Sequence, residues 1–90
     1  MEVRVNIKIF GSVQGVFFRR SAKLEAEKLG IVGWVKNDGN GSVEAMAQGE
    51  RDKVDEFIKW CKKGPPFAKV EKVEVKWLSE SQDFDRFDIL

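Results

Sequence analysis

Histidine and tyrosine are missing from this 90-residue chain, and cysteine occurs once. Without histidine there is no imidazole to serve as nucleophile or proton donor. Neither histidine nor clustered cysteine is at hand to hold zinc, and no group of carboxylates suggests a magnesium cage. The expected chemistry therefore uses no metal and no cofactor. The single thiol, Cys61, has no partner for an internal disulfide, which fits a reducing compartment. A cysteine phosphatase needs the pattern Cys-x5-Arg, whereas Cys61 is followed by KKGPPF. Charge of one sign is lacking too. Sixteen basic residues face fifteen acidic ones, net +1, with no basic block to draw the chain toward nucleic acid or anionic lipid. No apolar run approaches the roughly 20 residues of a membrane span. The opening MEVRVNIKIF alternates polar and apolar residues, unlike the continuous apolar centre of a secretion signal. The expected setting is the cytoplasm, and there the glycosylation pattern Asn40-Gly41-Ser42 reads only as a turn.

What is present suits one small folded unit. Hydrophobic residues make up 42% of the chain, with seven Phe and three Trp. That is enough for a shared core in a domain of this size, which buries roughly 60–65% of its unfolded surface. Residues 1–90 are read as a single domain, and a monomer is the simplest expectation. The charged fraction of 34%, mainly Lys and Glu, leans toward a heat-adapted source.

Periodicity supplies the elements. In VRVNIKI, Val3, Val5, Ile7 and Ile9 alternate with Arg4, Asn6 and Lys8, the period of a half-buried strand. After a loop over Gly11–Gly15, Phe18, Ala22, Ala26 and Leu29 recur at helical spacing, Leu24 lying off the stripe, and Gly30 is a good stop. IVGWVKN reads as a strand, DGNG as a tight turn of residues that tolerate positive φ, and SVEAMAQ as the returning strand. Val54, Phe57, Ile58 and Cys61 fall at i, i+3, i+4 and i+7, an amphipathic helix that makes Cys61 a packing residue. Its early Asp52 and Asp55 and late Lys62 and Lys63 suit the helix dipole, and Gly64-Pro65-Pro66 ends it. AKVEKVEVKWLS is a last long strand, and RFDIL adds a short edge strand. The order β-α-β-β-α-β, with right-handed crossovers, predicts an α+β, ferredoxin-like sandwich: an antiparallel sheet with two helices on one face.

The stretch GSVQGVFFRR, residues 11–20, places two arginines where the first helix begins. Cations there face the positive end of the helix dipole, at a cost of roughly 0.3–1 kcal/mol each. Glycines let main chain approach a ligand closely, and successive N–H groups at a helix start form a concave anion site. A phosphate would relieve the charge, and an arginine fork grips two of its oxygens at once. The same residues also read as a glycine-punctuated connection with two solvated arginines.

GSVQGVFFR closely resembles the acylphosphatase signature, glycine-x-Val-Gln-Gly-Val-x-Phe-Arg. A second family block matches as GWVKN, residues 33–37, continuing through Gly41, Val43 and Glu44 to Gly49. A third, GPPFAKV at 64–70, is similar to the stretch that follows the family's second helix. The resemblance runs from the first strand to the last and implies the same ferredoxin-like sandwich. It also implies hydrolysis of acyl phosphates, the mixed anhydrides of a carboxylic acid and phosphoric acid. By that resemblance Arg19 is the catalytic arginine that binds the phosphoryl group, and the backbone amides of Gly15, Val16, Phe17, Phe18 and Arg19 complete the cradle. Asn37 matches the asparagine that positions the attacking water. Arg20 receives no role and is expected to be solvated. Two departures stand out. Asn40 occupies a place where the family commonly has Asp, both residues suiting a positive-φ turn. The common ending Phe-x-Ile-Arg-Tyr is here Phe87-Asp88-Ile89-Leu90.

Rival functions are weighed on the same residues. Asp83 and Asp85 mimic an Asp-x-Asp nucleophile pair, but no buried parallel strand precedes them. An RNA-binding sheet needs aromatics on its central strands, and SVEAMAQ has none. A module of the same fold that binds phosphate or carbamoyl phosphate without turnover is the remaining alternative. A stand-alone chain keeping both Arg19 and Asn37 favours the enzyme, with a small-molecule acyl phosphate as its partner. Phe17 and Trp34 are read either as walls of an acyl pocket or as ordinary packing.

Overall fold

The computed structural model describes residues 1–80 and 82–90. Its elements run β1 (Glu2–Ser12), α1 (Phe18–Leu29), β2 (Val32–Asn37), β3 (Val43–Glu50), α2 (Arg51–Lys63), β4 (Lys69–Leu78) and β5 (Phe87–Ile89). They form a ferredoxin-like α+β sandwich with sheet order β4-β1-β3-β2-β5. Four strands pair antiparallel, as expected. The short β5 departs from that pattern: it lies parallel to β2, with Gly33 opposite Phe87 and Val35 opposite Ile89. A chain returning from the far edge strand β4 to the opposite edge enters beside β2 in β2's own direction, so the sheet is mixed.

One face of the sheet carries the core. Val5, Ile7 and Ile9 of β1, Val35 of β2, and Val43, Ala45 and Ala47 of β3 form one cluster with Phe18, Ala22 and Ala26 of α1 and Val54, Phe57, Ile58 and Cys61 of α2. Periodicity marks these positions because alternate strand residues and every third or fourth helical residue share a face. Cys61 is fully buried, a packing residue as read. Leu24 is 60% exposed, which explains why it falls off the α1 stripe. Trp60 joins the two helices, its ring 5.3 Å from that of Phe18, and Phe57 meets Phe87 of β5 at 5.8 Å. On the outer face Arg4 is buried rather than solvated, opposite Gln48 and Leu78 in register. Gln48 binds the backbone of Gln82 from both ends of its carboxamide, at 2.9 and 3.1 Å, so chain lies across the sheet here.

Two local expectations are corrected. Gly11 belongs to β1, not to the following loop. The register shifts between Phe10 and Gly11, and Gly11 takes φ +133° at this bulge, where a Cβ would collide with the Lys69 carbonyl. The glycine is needed for pairing with β4, and the loop toward α1 starts only at Val13. In the β2–β3 turn, Asn40 does not adopt positive φ; Gly41 does, at +91°. Asn40 serves the turn through its side chain, whose Oδ1 accepts from the Ser42 amide at 3.1 Å and from the Ser42 hydroxyl at 2.6 Å.

Candidate active site

α1 begins without the usual cap. Phe17 precedes it at φ 64°, no side chain caps its first turn, and no acid lies in that turn. The left-handed region costs a residue with a Cβ roughly 1–2 kcal/mol, and such strain concentrates at ligand sites. Phe17 is the only non-glycine residue with positive φ among those described, and Gly15, two residues earlier, takes φ +75°. The first α1 amides follow a tightly wound loop and, as at any helix start, have no intrahelical carbonyl partner. The dipole's positive end, Arg19 and Arg20 all lie there. Three sources of positive potential thus meet at one place, and neither arginine's charge is taken up by an ion pair among the described residues.

Gly15, Phe17, Phe18, Arg19 and Asn37 line one cavity of about 350 Å³, which Arg20 also borders. Asn37, the last residue of β2, is half-buried, and its carboxamide makes no hydrogen bond within the protein among the described residues. It reaches the cradle because β2 ends beside the loop that leaves β1, both strands flanking β3. Of the expected cradle residues, only Val16 is not on the cavity wall; it packs against the core instead. Arg20 is exposed, as expected, yet borders the same cavity. Phe17 is 70% exposed at the rim, and Trp34 does not line the cavity, lying instead beneath Lys36 Nζ at 5.5 Å. Asp83 and Asp85 are exposed and stand outside it. A wider groove of about 610 Å³ between α1 and α2 contains none of the expected residues.

Three contributors escaped sequence reasoning. Val13 and Ile89 complete the apolar wall. Ile89 arrives only through the parallel β5 pairing, for which the sequence carries no signal. Gln14 was visible within the loop motif but had no function attached. Its side chain reaches across to the β2–β3 turn, donating to the carbonyls of Asp38 at 2.8 Å and Ser42 at 2.9 Å.

A family model described as Acylphosphatase matches residues 5–89, nearly the whole chain. The chain belongs to the acylphosphatase family. It is 47% identical over 87 residues to an acylphosphatase of Anaeromyxobacter dehalogenans (strain 2CP-C), covering 97% of this chain and 94% of that one. An acylphosphatase of Thermococcus kodakarensis (strain ATCC BAA-918 / JCM 12380 / KOD1) is 46% identical over 88 residues, covering 98% and 96%. Among solved structures, an acylphosphatase from Coxiella burnetii superimposes with a TM-score of 0.95 at 39% identity, covering 99% of this chain and 93% of that one. Acylphosphatases from heat-adapted organisms are among its relatives. No helix among the described residues is long and apolar enough to cross a membrane.

Proposed function

We propose that the amides of Gly15, Val16, Phe17, Phe18 and Arg19 and the Arg19 guanidinium hold the phosphoryl group of an acyl phosphate, while Asn37 orients the attacking water. The protein is an acylphosphatase, a hydrolase of the carboxyl–phosphate bond. The observation that carries the residue roles is the cavity shared by Arg19, Asn37 and the start of α1.

The reaction needs little more than this. Water adds to phosphorus, the bond from phosphorus to the bridging carboxyl oxygen breaks, and that oxygen takes the bonding pair. One acyl phosphate dianion and one water give one carboxylate and one dihydrogen phosphate. Carboxylate is a good leaving group, so no strong acid is required to protonate it. Phosphoryl transfer then depends on alignment and on neutralising charge over the equatorial oxygens. Amides at a helix start and a planar guanidinium can do both. The Asn37 carboxamide is no base near neutral pH, but its carbonyl accepts a hydrogen bond from water and fixes its direction. The water's proton passes to a nonbridging phosphate oxygen. The protein acts as a cytoplasmic monomer on a small-molecule substrate, with residues 1–90 as one domain and no nucleic-acid partner.

The test is phosphate release from acetyl phosphate, with and without chelator. The wild-type rate is expected to be unchanged by chelator. Arg19→Ala and Asn37→Ala are each expected to lose at least about 100-fold in kcat/KM, the scale of one lost preorganised contact, with native circular dichroism. Near-full activity in either folded variant overturns that residue's role.

A further inference from the structure

The cradle and Asn37 come from different regions of the fold, and efficient hydrolysis requires them to keep one mutual geometry. Between loop residues 13–17 and turn residues 37–42, the described hydrogen bonds are two, and both come from Gln14. Its Nε2 donates one hydrogen to Asp38 O at 2.8 Å and one to Ser42 O at 2.9 Å. These carbonyls already accept inside the turn: Asp38 O from the Gly41 amide at 3.1 Å, and Ser42 O from the Asp38 amide at 2.9 Å. Gln14 thus fills the second acceptor site of each. Two carbonyl partners require the amide nitrogen at that position, so the orientation follows from chemistry. Asp38 directly follows Asn37, and Gly15 directly follows Gln14. The link therefore spans the cavity one residue behind each wall.

We propose that Gln14 is a positioning residue for hydrolysis: it sets the distance between the phosphate cradle and the Asn37 carboxamide. The proposal rests on the water-orienting role given to Asn37. Gln14 is itself exposed and absent from the cavity wall, and its amide hydrogens go to the turn carbonyls, so it acts through the turn. Its contribution should appear in turnover and not in phosphate affinity, because the cradle amides and Arg19 lie on its own side of the link.

Gln14→Met keeps the length of the side chain and removes both donors; Gln14→Asn keeps the donors on a shorter arm. Each is compared with wild type for kcat on acetyl phosphate, for the inhibition constant of inorganic phosphate, and in the Asn37→Ala background. A misplacement on the scale of 1 Å costs up to about 100-fold. Gln14→Met is therefore expected to lower kcat by about 10- to 100-fold while the phosphate inhibition constant stays within about twofold. The same substitution in Asn37→Ala is expected to cost little more, since the group it positions is gone. Wild-type kcat in Gln14→Met, with Asn37→Ala inactive, overturns the link and leaves the Asn37 role standing. Full activity of Asn37→Ala instead overturns the role on which the link depends. A proportional rise in the phosphate inhibition constant, or an undiminished loss in the Asn37→Ala background, assigns Gln14 to cradle integrity and overturns the proposal. Phosphate binding by both variants reports that they are folded.

Discussion

Phe17 is the residue at which local preference and site geometry conflict. A bulky side chain sits at φ 64° directly before α1, 70% exposed, so little burial offsets the strain. The conformation leads the chain into α1 so that Phe18 goes into the core beside Trp60. If the loop imposes this backbone, glycine should tolerate it better than alanine, since both remove the ring and only alanine keeps a Cβ. Phe17→Gly is expected to be more stable than Phe17→Ala by about 1 kcal/mol in urea denaturation. Alanine equal to or better than glycine would mean that the position is not held left-handed in solution. The neighbouring arginines show how far single residues can be read. The motif marks Arg19 as a candidate and Arg19 does line the cavity, but adjacent helix positions lie about 100° apart, and the bordering position of Arg20 depends on loop geometry that no motif records. Gln14 was equally visible as a letter. Its meaning lay in two carbonyls more than twenty positions away.

Elements were legible where burial is periodic. Val5, Ile7 and Ile9, and likewise Val54, Phe57, Ile58 and Cys61, announce their faces because each packs against one layer. Pairing partners and local irregularities were less legible, since they depend on which backbone comes alongside. Gly11 reads as a loop glycine, yet it is a bulge against Lys69. Phe87–Ile89 reads as an edge strand, but its direction relative to β2 comes from the path of the preceding chain. Gly33 shows the same dependence with a measurable consequence. It lies between β3 and β5 at φ +139°, where a Cβ would overlap the Met46 carbonyl, and its amide donates to Arg86 O at 3.0 Å. Any side chain must push β2 away from β3, four residues before Asn37. Gly33→Ala is expected to cost more than about 2 kcal/mol in urea denaturation. Gly39→Ala, in the exposed turn with no atom near the added Cβ, should be neutral or stabilising by up to about 1 kcal/mol. Equal stabilities for the two variants would show that β2 is not held as tightly as its pairing indicates.

At the scale of the whole molecule, one buried cluster joins both helices to the sheet, while the ion pairs among the described residues lie mostly in the open. Exposed pairs contribute little near room temperature and gain weight at high temperature. Stability at ordinary temperature therefore rests on the core, and the core contains a titratable group. Burial raises the Cys61 thiol well above its ordinary value of 9.0, and the negative charge of Glu25 raises it further. The folded protein keeps this proton through a pH range in which the unfolded chain releases it. The contribution of Cys61 is therefore fully present below pH 9 and declines above it, by up to about 1.4 kcal/mol per pH unit. The Met1 ammonium acts in the same direction from its ordinary value of 8.0, raised by its hydrogen bond to Glu50 and by that carboxylate's charge. That pair is exposed and should be suppressed by salt, whereas the thiol is shielded within the core. In 0.5 M sodium chloride, roughly a 4 Å screening length, wild type is expected to lose stability between pH 9 and 10.5 more steeply than Cys61→Ala. Comparing slopes instead of absolute stabilities removes the cost of the small cavity that alanine leaves. Parallel slopes would mean that Cys61 meets solvent before the core opens, and that the cluster around Phe57 and Trp60 is looser than its packing indicates.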